Sequence, residues 1–455
     1  MEEQVAKLVE ELAALKAANT SGNTMAAETF YYLTIPLMVL IHVGFLGYEM
    51  GASRMKNVLA SGIKNILAFA FVIPTFYIFG WWIYWAFTPG FPTAESIQTA
   101  NDFGNPVGAV MGPNLVDNAT GVFVGAFILF AATTASIMSG AVIERIRMVS
   151  FIVLAIVLGS VAWILAAAWG WSASGWLVTE WGYHDFGAAG VVHMISGFFA
   201  LGVLINLGPR LGKFNSDGSA NNIVGHNMPL TLIGLMTIIV GFWGFLMACL
   251  IYPGEAWSWS ASQFATIYGT PANLSAIAFN ILMGFAGGII GAWMTTRDPF
   301  WMMSGALGGI ISCAAGLELW DPKLAFAIAF VGAAFIMPAS AKFIEKMKID
   351  DAVGAVTVHG TLGAYGVLVV GIFASGYPAL SGDAGVPLIS FGGQFVGMIV
   401  MALVGFVPGY VISLLFNLVG LLRVSEAAEI AGLDPTKVPA SAYPEGISPS
   451  ASPAE

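Results

Sequence analysis

Eleven apolar runs, each long enough to cross a lipid bilayer, constrain this chain more than any other feature. A hydrocarbon core about 30 Å thick needs about 20 consecutive apolar residues per helix. Runs of this kind fall near 30–50, 65–87, 119–142, 149–170, 188–207, 228–252, 272–294, 301–319, 324–341, 353–376 and 389–422. Composition agrees: 58% of residues are hydrophobic and 9% charged, against about 25% charged in a soluble domain. A lipid-facing exterior removes the need to hide that apolar surface. The 55 glycines also fit, because small residues let membrane helices approach closely; Gly284, Gly288 and Gly291 form one such face. The expected fold class is therefore an all-α membrane protein of eleven transmembrane helices. A net charge of −10 argues against nucleic-acid binding, which needs clustered Lys and Arg.

The basic residues set an orientation. Twelve of the 16 Lys and Arg, from Arg54 and Lys56 to Arg423 and Lys437, fall on one side of the alternating runs. The loops 88–118, 171–187, 253–271 and 377–388 on the other side contain none, and only Lys323 clearly breaks the pattern. The positive-inside rule places the C-terminus in the cytoplasm and the N-terminus outside an inner (plasma) membrane. The outer loops carry Glu95, Asp102, Asp117, Glu180, Glu255 and Asp383. These serve loop solubility or make the outer face mildly attractive to cations.

Three regions follow. Residues 1–24 place Val5, Leu8, Leu12 and Leu15 at 3-4-3 spacing amid Glu and Lys, the pattern of a short heptad seam. This extracytoplasmic segment is too short and too charged to span a bilayer; it is a frayed amphipathic helix or a small coiled coil that aids oligomerisation. Residues 25–423 form the membrane domain and 424–455 a cytoplasmic tail.

Besides His42 in the first run, His193 and His359 lie inside apolar runs, where polar groups are costly and usually functional. Each follows an aspartate by eight residues: Asp185 in DFGAAGVVH and Asp351 in DAVGAVTVH. Both aspartates suit helix N-caps. Eight residues of helix rise about 12 Å, so each histidine nears the bilayer midplane. The two helices enter from opposite faces, which is the signature of an inverted repeat of five plus five helices with one extra. Two facing imidazoles can share a proton by tautomer. No third ligand stands at that depth, so a metal site is disfavoured, and no cofactor is expected. Cys249 and Cys313 sit in separate apolar runs with no support for a disulfide.

With these residues in view, the sequence resembles the ammonium transporter/Rhesus superfamily over nearly the whole membrane part. The carrying stretches are MKNVLA (55–60), GAVIERIRM (140–148), DFGAAGVVH (185–193), GHNMPLT (225–231), GFWGF (241–245), DDAVGAVTVHG (350–360), GIFASG (371–376) and LLRVSEAAEIAGLD (421–434). The resemblance implies a homotrimer with one hydrophobic pore per subunit that moves ammonium or ammonia. It implies an outer gate of two stacked phenylalanines, Phe130 and Phe245, above the pore pair His193 and His359. It also gives Asp185 a structural and electrostatic role beside the outer recruitment site, and lets the tail meet a PII-class signalling protein.

The sequence departs from that pattern at the recruitment site. An aromatic position holds Ala126, the serine position holds Cys249, and Trp171 aligns with the family tryptophan across a loop insertion. Leu246 replaces an asparagine, and Gly354 stands where ammonium transporters have a second aspartate, as in Rhesus proteins. Alternatives to ammonium uptake are therefore a Rhesus-like neutral ammonia channel or an ammonium sensor on the same scaffold. An unrelated sodium-coupled transporter is the remaining class. No dinucleotide fingerprint, phosphate-binding loop or zinc-protease motif points to an enzyme.

Overall fold

The computed structural model describes residues 2–106, 118–251, 264–382, 385–438 and 440–444. Asp117, Glu255 and Asp383 of the outer loops lie outside the described residues. The rest is almost wholly helical. The principal helices are α1 (Glu2–Ala52), α2 (Met55–Ala86), α3 (Asn118–Ala141), α4 (Met148–Gly170), α5 (Ala189–Leu207) and α6 (Met228–Ala248). They continue as α7 (Leu274–Thr296), α8 (Pro299–Ala314), α9 (Pro322–Lys346), α10 (Val356–Phe373) and α11 (Phe391–Leu418). Ten helices among the described residues are long and apolar enough to cross a membrane.

The sequence expects eleven such helices, and α8 is the difference. The run at 301–319 forms a helix of 16 residues, about 24 Å at 1.5 Å per residue. Its ends are fixed locally. The Asp298 carboxylate accepts from Trp301 N–H and Pro299 opens the first turn; a tight turn then closes over Leu317 and Leu319. The N-terminal segment is helical and continuous with the first span, since α1 runs unbroken for 51 residues through Pro36. Its heptad positions Val5, Leu8, Leu12 and Leu15 are all exposed.

Glycine sets the helix packing. A Cβ added at Gly234 of α6 would stand 2.7 Å from Gly44 O of α1, and one at Gly309 of α8 would stand 2.7 Å from Gly284 O of α7. Contacts that close demand glycine. Helices α5 and α10 cross antiparallel: Gly197 packs on Gly360, and Gly363 lies against Ala189 and Met194. This crossing brings two distant sequence motifs to one level.

The end of the bundle that carries the basic residues is held by charge. Arg210 grips Asp350 with Nε at 2.8 Å and Nη2 at 3.0 Å, and Arg54 Nε donates to Glu144 at 2.6 Å. Burial alone would raise both carboxyls. Arg145 and Arg210 instead hold Asp350 well below the usual carboxylate range, and Arg210 with Arg54 holds Glu144 below it. The early tail docks here. Asp434 accepts from Leu59 and Ala60 N–H at 2.9 and 2.8 Å, which caps α2, and Lys56 Nζ donates to Glu429 O and Ile430 O.

Candidate functional site

The two intramembrane histidines meet. His193 Nδ1 and His359 Nδ1 are 3.1 Å apart, and both side chains are buried. Each sits in a wide π-helical turn, Ala189–Met194 in α5 and Val356–Thr361 in α10. Such single wide turns often mark functional positions. Each turn is preceded by its aspartate. Asp185 Oδ2 accepts from Gly190 and Val191 N–H, both at 2.9 Å; Asp351 accepts from Ala355 N–H at 2.9 Å and Val356 N–H at 2.7 Å. Burial raises both carboxyls to about 6, against the pull of those N–H groups. The two aspartates thus cap the helices that carry the pair.

One imidazole donates and the other accepts in the shared bond. His193 leaves its Nε2 without a hydrogen-bond partner among the described residues. Its ring packs on Phe242 at 5.7 Å and Phe245 at 5.6 Å. Phe245 in turn meets Phe130 at 4.5 Å between ring centroids. The planes cross at 75°, so these rings meet edge to face. That geometry sets the positive edge of one ring on the negative face of the other. Phe130, Phe245, His193 and His359 therefore form one line of buried rings, one each from α3, α6, α5 and α10.

Trp171, at the end of α4, lies 5.0 Å from Phe130 and donates from Nε1 to Phe186 O at 3.2 Å. Cys249 is buried one turn beyond Phe245, with its thiol 3.3 Å from Phe245 O. Ala126 is buried one turn from Phe130 and supplies no ring. The neighbouring Phe127 packs on Trp171 at 5.4 Å and Trp81 at 5.0 Å. Gly354 takes φ +77°, a left-handed conformation that favours glycine.

Several residues of this region escape sequence reasoning. Phe242 was legible, since the GFWGF spacing puts it on the face of Phe245. His184 was not: it pairs with Glu318 at 2.5 Å, a residue 134 positions away, in a fully buried contact roofed by the Tyr268 ring. Gln394 pins the His184 backbone from both sides, at 2.8 Å each. His42 in α1 bonds Ser136 at 3.2 Å and packs on Phe69, away from the histidine pair.

Comparison with known proteins fits this geometry. The Ammonium Transporter Family profile matches residues 29–443. Ammonium transporter Amt1 of Methanocaldococcus jannaschii is 30% identical over 91% of this chain and 96% of its own length. Among solved structures, one described as a Sensor Amt Protein superposes with a TM-score of 0.76 at 25% identity, covering 91% of this chain and 98% of its own. Saccharomyces cerevisiae Mep2 shares the fold with a TM-score of 0.68 at 19% identity, over 89% of this chain and 88% of its own. A profile match over nearly all of the helical bundle leaves no other assignment: the chain belongs to the ammonium transporter family.

Proposed function

We propose that this protein moves ammonium across the membrane by separating it into ammonia and a proton. Family membership makes the chain a transporter and not an enzyme. The observation that carries the mechanism is the 3.1 Å bond between His193 and His359 directly beneath the Phe130–Phe245 ring pair. Bare ammonium in a dry passage costs several kcal/mol or more. At the mouth, the faces of Trp171 and Phe130 offset part of that cost by cation–π attraction. Deprotonation there leaves neutral ammonia, which crosses between apolar rings cheaply. The proton passes through the histidine pair by exchange of tautomers. Potassium and sodium have no proton to give up and are rejected.

Asp185 and Asp351 hold the pair's helices in place, and Cys249 and Ala126 line a recruitment site that lacks a second ring and a hydroxyl. The same reading makes the protein a plasma-membrane homotrimer with its N-terminus outside. Within each subunit, five helices are related to the next five by inverted repeat, with α11 added. The docked part of the tail, from 424, is the surface on which a PII-class protein would act. The test is reconstitution in liposomes with ammonium pulses. A current that requires ammonium supports the reading, and ammonia entry without current favours the neutral-channel alternative. Light scattering in detergent should give three copies of the 47.8 kDa chain.

A further inference from the structure

One buried ion pair within the helical bundle has no part in the route just described. Glu49, in the last turn of α1, lies 3.5 Å from Lys64 Nζ of α2, and their side chains are 0% and 5% exposed. Lys64 Nζ also donates to Ser139 O at 2.6 Å and lies over the Phe151 ring. Glu49 Oε1 accepts from the Ser139 hydroxyl, which also reaches Asn65 Oδ1 at 3.1 Å. A buried ion pair contributes little stability over apolar residues of the same size. Charged groups at membrane depth usually mark a pathway.

A small cavity gives this pair a task. Its volume is about 10 Å³, and Glu49, Tyr48, Ser304 and His359 share its wall with apolar side chains. That is close to the room one water needs, provided it finds two to four polar partners. Among the described residues, Glu49 Oε2 has only the 3.5 Å ion-pair contact with Lys64 and accepts no hydrogen bond, and the buried Ser304 hydroxyl beside the Tyr48 phenol has no hydrogen bond of ordinary geometry. A water here would have the Glu49 carboxylate, the Ser304 hydroxyl and the His359 ring around it. The cavity therefore joins the inner histidine to a carboxylate three residues from the end of α1.

We propose that Glu49 is the inner proton acceptor of this transporter, taking the proton of His359 through one water in this cavity while Lys64 keeps the carboxylate ionised between cycles. In the transfer, the His359 N–H bond breaks and a bond to the water oxygen forms. One O–H bond of that water breaks as Glu49 Oε2 gains its proton, so the water is regenerated. Neutral Glu49 then releases the proton at the cytoplasmic end of α1 and returns to its pair with Lys64. His359 is reprotonated from His193. One proton moves per cycle and no other species is consumed. The proposal rests on the proton-carrying role of the histidine pair.

The test measures two fluxes in liposomes: ammonium-evoked current, and ammonia entry read as lumenal alkalinisation. Glu49→Gln should lower the current by about 100-fold, within the range a positioned acid–base group contributes, while ammonia entry stays near that of the unaltered protein. Glu49→Asp should recover part of the current. Because Glu49→Gln strands Lys64, the double variant Glu49→Gln/Lys64→Met removes both charges and should show the same split if the single variant misfolds. Wild-type current in the folded single or double variant would overturn the proposal. So would a parallel fall of current and ammonia entry, which marks a purely structural pair. If the unaltered protein passes ammonia with no current, the histidine reading fails and this proposal with it. A normal current in both the unaltered protein and the Glu49 variants defeats this proposal alone.

Discussion

Removing one imidazole of the pore pair should change what crosses, as well as how fast. In His359→Ala, His193 Nδ1 loses its partner at 3.1 Å while its Nε2 already has none among the described residues. A buried polar group left without a mate costs about 1–3 kcal/mol, and the space vacated by the imidazole invites water to meet that need. The bundle should still fold, because its packing rests on glycine contacts and apolar rings elsewhere. Water at this level replaces part of the hydration that a bare cation loses. If it lowers the barrier for potassium by about 3 kcal/mol, potassium conductance rises on the order of 100-fold. Ammonium current should fall in the same variant, because the proton has lost its relay. His193→Ala should behave alike, and His42→Ala, whose ring bonds Ser136 outside the line of pore rings, should be milder. Currents from ammonium and potassium pulses on reconstituted protein give both numbers. If both pore variants match the unaltered protein while His42→Ala abolishes transport, the pathway drawn here is wrong.

Three further outcomes are expected. Asp350 and Glu144 have carboxyls held below their usual range by arginines, so their stabilisation is complete above the unfolded value of about 4 and declines as pH falls below it. Thermal unfolding in detergent should show this loss on the acid side, and Asp350→Asn should start less stable and lose less of its stability to acid. Asp434→Ala removes the cap on α2 at Leu59 and Ala60, a loss of about 0.5–2 kcal/mol; hydrogen exchange over 57–61 and 424–438 should quicken, and unchanged protection would count against tail docking. Cysteine placed at Ser216 should react with an impermeant reagent only from the cytoplasmic side and cysteine at Ser174 only from outside, and the opposite pattern would reverse the assigned orientation.

Hydrophobic length is a local property, so ten long apolar helices could be read from the chain. The likeness of the two histidine segments was legible for a similar reason. Each imidazole follows its aspartate by eight residues, and the antiparallel crossing of α5 and α10 brings the two rings within 3.1 Å. Helix ends depended on more. The run at 301–319 gave a 16-residue helix because a cap at Asp298 and the turn after Ala314 cut it short, and α1 continues unbroken from the N-terminal segment through Pro36. Pairings across the fold belonged to tertiary structure alone. His184 finds Glu318 across 134 residues and Asp434 finds Leu59 across 375. Lys64 looks from sequence like a stray charge in a helix until the crossing of α1 and α2 sets it beside Glu49. Periodicity shows which face of a helix is apolar, but the partner of a buried charge is chosen by how distant helices pack, because only there does leaving water become affordable.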